Sequence, residues 1–217
     1  MSSENSLTVY KVKEVFYTLQ GEGAHAGRAA VFCRFTGCNL WSGKEKDRQT
    51  AICQFCDTDF WGTDGLNGGR YSAVQLAEKV ISLWKNNGEG KPFVVCTGGE
   101  PLLQLDKKLT SAFHAVGLEV AVETNGTIAV PEGVDWVCVS PKANTEIVVS
   151  GGDELKLVYP QQGAEPEKYT HLDFSHFFLQ PMDSIDKENN TRAAVEYCMN
   201  HPKWRLSLQT HKLLNIP

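Results

Sequence analysis

Three cysteines, Cys38, Cys53 and Cys56, stand in the pattern C-x14-C-x2-C. Three clustered thiolates are one short of a closed tetrahedral zinc site. They are the right number for a cubane iron–sulfur cluster that keeps one iron open to a small molecule, since such clusters are held by cysteine thiolates. Zinc would want a fourth ligand, and the nearest histidine, His25, lies thirteen residues before Cys38. A zinc site and plain buried thiols are the alternatives. Cys33, Cys96 and Cys138 fall in apolar runs and Cys198 on an apolar helix face, where a thiol packs as a small hydrophobe.

Other polar residues interrupt the chain in ways that could serve a ligand. In CTGGEP (Cys96 to Pro101), the glycine pair can be no more than a tight turn. Beside a cysteine loop it lets backbone approach a ligand amine, and Glu100 can take a cation. In TLQGEG (Thr18 to Gly23), Gln20 and Glu22 offer an amide and a carboxylate beside exposed backbone. That set can pair with the donor–acceptor edge of a pterin or purine; a plain turn is the alternative. Asp57-Thr58-Asp59 is either a solvated acidic turn or an oxygen site for Mg2+. Arg34 lies among apolar neighbours, so its charge is paired or reaches a bound anion. His211 and Lys212 stand near the end of the sequence, and the Pro217 carboxylate is a further acceptor if the tail folds inward, although terminal residues fray.

Composition bounds the rest. The chain has 217 residues, expected to form one domain with a substantial core. Hydrophobic residues make up 41% and charged residues 22%, as in soluble globular proteins. A net charge of −5 gives no basic field for nucleic acid. No apolar run reaches the roughly 18 residues of a membrane span. The opening MSSENSLTVYKVKE lacks an apolar signal segment, and residues 1–6 are expected to be disordered. Seven irregularly spaced cysteines without an export signal indicate a reducing, cytoplasmic setting rather than a disulfide framework.

These residues need a scaffold. Apolar, β-branched and aromatic runs punctuated by Gly or Pro predict strands over 29–35, 92–97, 118–124, 136–140, 154–159, 176–180 and 204–209. One helix is expected from a Ser72 cap to about Asn87, with Leu76, Ala77, Val80, Ile81 and Trp84 as its apolar stripe and Gly88 as its stop. A second is expected from Asp106 to Val116. A third is expected from Thr191 to Asn200, with Ala194, Val195 and Cys198 inward. Strands alternating with helices imply parallel βαβ units. Three helices are too few for a closed eight-fold barrel, so the expected class is α/β, a partial, open, TIM-like (β/α) barrel with few helices. The irregular segment 36–70 carries the cysteines, and loops this long are functional or disordered. The polar groups GGEP, ETNG, SPK and QPMD all fall at C-terminal strand ends, the edge where parallel α/β folds bind ligands.

The cysteine trio, with Phe55 before its last member and GGEP downstream, resembles the radical S-adenosylmethionine enzymes. LQGEG, CDT, TGGEP, ETNG, VSPK, LQPMD and the final LSLQTHKLLNIP, in this order from Val12 to Pro217, together resemble the 7-carboxy-7-deazaguanine synthase family. One feature departs from the superfamily, whose usual spacing is C-x3-C-x2-C; a subset of the synthase family resembles this chain in carrying the longer loop. A flexible loop closes at modest entropic cost, so the insert should spare ligation. It leaves open the path of residues 39–52 and the reductant that docks there.

The resemblance implies a [4Fe–4S] cluster on Cys38, Cys53 and Cys56. It implies S-adenosylmethionine held by Phe55, Gly99, Glu100, Ser140, Pro141, Lys142, Gln180, Pro181, Met182 and Asp183. Leu19, Gln20, Gly21, Glu22, Arg34, Thr97, His211 and the Pro217 carboxylate would hold a pterin substrate, and Thr58 would ligate Mg2+. The implied activity is a Mg2+-dependent lyase reaction, from 6-carboxy-5,6,7,8-tetrahydropterin to 7-carboxy-7-deazaguanine with loss of ammonia, on the route to queuosine and related deazapurines. No side chain is expected as an acid or base, because the cofactor carries the hard step. An electron-donor protein such as flavodoxin or ferredoxin, and a homodimer, are further implications. Two rival readings are a radical activase acting on a partner protein and a non-catalytic zinc or iron–sulfur module. LQGEG and an ordered tail count against the first. The second leaves TGGEP, VSPK and QPMD without a role.

Overall fold

The computed structural model describes residues 8–85 and 90–217. The disorder expected over 1–6, and the helix end expected at Asn87 and Gly88, lie outside the described residues. Among the described residues, nine strands form one sheet: β1 (Tyr10–Leu19), β2 (Ala29–Phe35), β3 (Gly69–Tyr71), β4 (Phe93–Gly98), β5 (Glu119–Thr124), β6 (Trp136–Val139), β7 (Gly151–Tyr159), β8 (Asp173–Pro181) and β9 (Trp204–Leu206). Their spatial order is β3-β1-β2-β4-β5-β6-β7-β8-β9. All neighbours from β2 to β9 run parallel, whereas β1 is antiparallel to both β2 and β3. The terminal strands β3 and β9 do not pair, so the sheet is an open α/β partial barrel, as expected.

The seven expected strands are present as β2 and β4 to β9. The last is shorter than expected, stopping at Leu206. Ser207 N still bonds Leu179 O at 2.9 Å, but Thr210 N then bonds Gly21 O at 3.0 Å and turns the chain into the short helix α4 (Thr210–Leu214). Strand β1 was not expected. A register shift between Val12 and Glu14 breaks its two-residue alternation, and Lys13 occupies a buried position. Strand β3 has only three residues and no apolar pattern.

Helix α1 (Ala73–Leu83) begins in a capping box: Gln75 N donates to Ser72 Oγ at 3.3 Å, and Ser72 N donates to Gln75 Oε1 at 2.9 Å. Its last residue is Leu83, and Trp84 beyond it is extended. At α2 (Lys107–Ala115), the Asp106 carboxylate caps Leu109 N at 2.9 Å and accepts from Tyr10 Oη at 2.7 Å, which locks β1 to this helix. Helix α3 (Lys187–Asn200) starts earlier than expected, because its first turn is polar and invisible to apolar periodicity. Its buried face is Asn190 and Ala194; Val195, expected inward, is exposed.

Two cores result. α1 and α2 cover β1, β2, β4 and β5 through Leu76, Val80, Leu109 and Phe113. α3 covers the other flank around Leu155, Leu157, Leu179 and Trp204. The connections from β5 through β8 carry no α-helix, which leaves that side helix-poor. Cys33, Cys96 and Cys138 are fully buried strand residues, and burial pushes their thiols up. Among the described residues, no helix is long and apolar enough to cross a membrane.

Leu157 of β7 is fully buried in the second core. Leu157→Ala is expected to lower stability by about 2–5 kcal/mol in urea unfolding, because the site cannot collapse onto the lost methyls.

Candidate active site

The C-terminal ends of the parallel strands open into a cavity of about 370 Å³, walled by segments from Glu14 to Pro217. That volume suits a small molecule. Leu19, Gln20, Gly21, Glu22, Arg34, Thr97, His211 and Pro217 all line it. So do Phe55, Gly99, Ser140, Lys142, Gln180, Pro181, Met182 and Asp183, together with Cys38, Cys53, Cys56 and Thr58. Glu100 and Pro141 do not, although the sequence reading placed both at the ligand.

The cysteine loop is built rather than loose. Leu40 O accepts from Ile52 N at 3.1 Å and from Cys53 N at 3.3 Å. This neck short-circuits the insert. Passing from Cys38 across it to Cys53 crosses only Asn39, Leu40 and Ile52, the three-residue spacing of the wider superfamily. Between the two sides of the neck runs a 3-10 turn, Glu45–Thr50, whose Arg48 lies over the Trp41 ring. Burial pushes all three thiols up, and each feels the charge of its neighbours. Among the described residues, no three His, Cys, Asp or Glu side chains gather as a metal-ion site. The three thiols line one cavity, a donor set of the kind that holds iron–sulfur clusters.

Glycine is required where the strand end meets this loop. A Cβ on Gly99 would lie 2.1 Å from Gly37 O and 2.8 Å from Cys38 Cβ. The next residue, Glu100, is fully buried behind the wall. Its carboxylate accepts from Leu102 N at 3.0 Å, Thr124 Oγ1 at 2.8 Å and Asn125 N at 2.8 Å. Asn125 Nδ2 in turn donates to Asn39 Oδ1 at 2.9 Å, next to Cys38. Glu100 therefore aligns the wall from behind. Pro141 is also turned away, its carbonyl accepting from Gln161 Nε2 at 3.4 Å. Lys142 does face the cavity, with its Nζ bonded to Ser140 O at 2.6 Å and Ser140 Oγ at 2.8 Å. Burial pushes its ammonium down, and Cys53, Cys56 and Glu100 partly restore it.

The floor is a buried charge network. Lys156 Nζ donates to Glu22 Oε2 at 2.6 Å and to Glu123 Oε1 at 3.2 Å. Gln20 Nε2 donates to Glu123 Oε1 at 3.0 Å, and Gln209 Nε2 to Glu22 Oε1 at 3.1 Å. Burial alone would raise the Glu22 carboxyl, but Lys156 holds it below the ordinary carboxylate range. Burial alone would lower Lys156, but Glu123 and Glu22 hold it well above the ordinary amine range. Both are charged. The sequence reading missed Lys156, although a lysine inside the apolar run ELKLVY carries the same signal that singled out Arg34. Arg34 proves to be paired, its Nε donating to Glu14 Oε1 at 2.8 Å.

The tail closes the rim. Gly21 packs so tightly on α4 that an added Cβ would lie 2.2 Å from His211 Nδ1. Thr18 Oγ1 donates to Pro217 O at 2.9 Å. Lys212 Nζ bonds Asp57 Oδ2 at 2.6 Å and also reaches Asp183. Burial would raise Asp57, but Lys212 keeps it low. Asp59 is taken by Lys13 at 2.9 Å, so both acids flanking Thr58 are already engaged by lysines.

An open parallel half-barrel, with three thiols and a polar strand-end rim around one cavity, has the features that the resemblance to the radical S-adenosylmethionine enzymes implies. No protein-family model matches the chain. It is 60% identical over 96% of its length to the 7-carboxy-7-deazaguanine synthase of Caulobacter vibrioides, and 62% identical over 95% to that of Bradyrhizobium diazoefficiens, in each case spanning 99% of the relative. The crystal structure of QueE from Escherichia coli superposes with a TM-score of 0.69 at 28% identity, covering 96% of this chain and 99% of that one. The chain belongs to the 7-carboxy-7-deazaguanine synthase family.

Lys156→Met leaves two half-buried carboxylates without their cation and is expected to lower stability by about 1–3 kcal/mol at neutral pH, read by urea unfolding. In the wild type, Glu22 contributes stability above its ordinary pKa and loses it as pH falls through its lowered value. In the variant, burial favours protonated Glu22, so the difference between the two proteins should shrink as pH falls through the carboxylate range.

Proposed function

We propose that this chain converts 6-carboxy-5,6,7,8-tetrahydropterin to 7-carboxy-7-deazaguanine with loss of ammonia, using a [4Fe–4S] cluster, S-adenosylmethionine and Mg2+. The observation that carries the reading is the meeting, in one cavity, of a three-thiol loop with an amide, two carboxylates and an ammonium. Cys38, Cys53 and Cys56 would hold the cluster. Phe55, Gly99, Ser140, Lys142 and Gln180 to Asp183 would hold S-adenosylmethionine. When bound, these groups supply one-electron radical chemistry that no side chain can provide.

The protein's own residues bind and orient. Glu22 and Glu123 are charged or hydrogen-bonded acceptors for the N–H groups of a pterin edge, and Gln20 and Lys156 are donors for its carbonyl. Their mutual bonds hold them in place before any ligand arrives, which reduces the ordering cost of binding. Arg34 supplies a fixed cation for the substrate carboxylate, with Thr97, His211 and the Pro217 tail closing the pocket. Thr58 would hold Mg2+, with Asp57 and Asp59 held aside by Lys212 and Lys13. We place this activity in the cytoplasm, in a single-domain protein acting as a homodimer and reduced by a flavodoxin- or ferredoxin-type donor.

The test is anaerobic incubation of iron-loaded protein with dithionite, S-adenosylmethionine, Mg2+ and the tetrahydropterin acid, followed by mass analysis. The expected result is 7-carboxy-7-deazaguanine that requires every component; iron-loaded protein that leaves the pterin unchanged would refute the assignment. Thr58→Ala is expected to blunt the response to Mg2+ while iron content stays at the wild-type level. An unchanged Mg2+ titration removes Thr58 from the site.

A further inference from the structure

The neck at Leu40 fixes Cys53 against Cys38 but leaves Cys56, three residues further on, without a comparable tie. Arg48, inside the insert, reaches back to supply one. Its Nη1 donates to Gln54 O at 3.0 Å and to Cys56 O at 3.1 Å. Among the described residues, neither carbonyl accepts from a backbone amide. The rest of the guanidinium is equally constrained. Its Nε is held by both Glu45 carboxylate oxygens at 2.8 Å. Its face lies 4.1 Å from the Trp41 ring, which packs edge-on against Phe60 at 5.4 Å. Glu45 is 77% exposed, so the ion pair itself adds little to global stability. What the arrangement achieves is aim: a planar cation, gripped on one edge and stacked on one face, points its remaining edge at the turn that carries two cysteines.

We propose that Arg48 is a positioning residue for the iron–sulfur cluster, pinning the Cys53-to-Cys56 turn and holding a fixed positive charge beside it. The proposal rests on the cluster reading above and extends it to a residue that touches no ligand. Two consequences follow from different properties of the side chain. The carbonyl clamp keeps the ligand turn closed, and it needs the guanidinium fork, which lysine lacks. The charge favours the reduced cluster, because reduction adds a negative charge and cluster potentials respond to nearby charge.

The variants are Arg48→Met and Arg48→Lys, each checked by circular dichroism and reconstituted anaerobically beside the wild type. Two quantities are read: the rate of iron loss to a chelator, and the cluster midpoint potential from a redox titration followed by electron paramagnetic resonance. Arg48→Met is expected to lose iron roughly 10–100-fold faster, as when outer-shell partners of metal sites are removed, and to show a lowered potential. Arg48→Lys is expected to lose iron faster than wild type while keeping the wild-type potential. Wild-type iron retention in either variant overturns the clamp. An unchanged potential in Arg48→Met overturns the electrostatic part. If Arg48→Met does not fold, Arg48→Lys decides the clamp, and its potential, if lowered, overturns the electrostatic part. Wild-type protein that takes up no iron overturns the cluster assignment and this proposal together; iron-loaded wild type with indifferent variants overturns this proposal alone.

Discussion

The carboxylate of Glu100 is shut away from solvent and shared among donors from two chain segments. Burial pushes its pKa up, and the bonds from Asn125, Leu102 and Thr124 pull it back. The geometry of the site depends on this bond set. It fixes the end of β4 to the end of β5, and through Asn125 and Asn39 it reaches the segment that carries Cys38. A buried carboxylate without its donors would be costly, so the three segments keep one arrangement. The same junction admits no side chain at Gly99, whose Cβ would collide with Gly37 O. Close backbone approach and a buried acid thus impose one constraint: the cysteine loop is held against the strand ends that line the cavity.

The opposite wall solves a different problem. The pterin edge of the proposed substrate would need donors and acceptors, and unpaired polar groups at the base of an open barrel would be expensive. Lys156 reconciles the two demands by donating to both Glu22 and Glu123, its side chain only 5% exposed. The network is satisfied without ligand and still presents its polar atoms to the cavity. The tail then closes over it, because Gly21 gives α4 a place to rest and Lys212 ties that helix to Asp57 and Asp183.

Much of the scaffold is legible in the sequence because parallel buried strands are written as apolar runs with Gly or Pro at their ends. PFVVCTGG and LEVAVETNG announce both a strand and the polar rim beyond it. The antiparallel edge is less legible. In β1, the bulge at Val12 to Glu14 and the inward Lys13 defeat any simple alternation, since Lys13 is buried for its bonds to Trp61 O, Asp59 and Asp64 rather than for its hydrophobicity. Glu100 reads from the sequence as a ligand-facing acid, because the motif gives its identity but not the direction of its side chain. The insert is opaque for a related reason. Its closure depends on carbonyl contacts, Leu40 O at the neck and Cys56 O under Arg48, and backbone acceptors leave no mark on residue identity.

The central claim is that Cys38, Cys53 and Cys56 hold a cluster with one iron left open to S-adenosylmethionine. Electron paramagnetic resonance of the anaerobically reconstituted, reduced protein, with and without S-adenosylmethionine, tests it most directly. The expected result is a [4Fe–4S] signal whose shape changes when S-adenosylmethionine is added. Oxygen-free protein that carries a four-ligand zinc and no iron, or an iron–sulfur signal indifferent to S-adenosylmethionine, would contradict it.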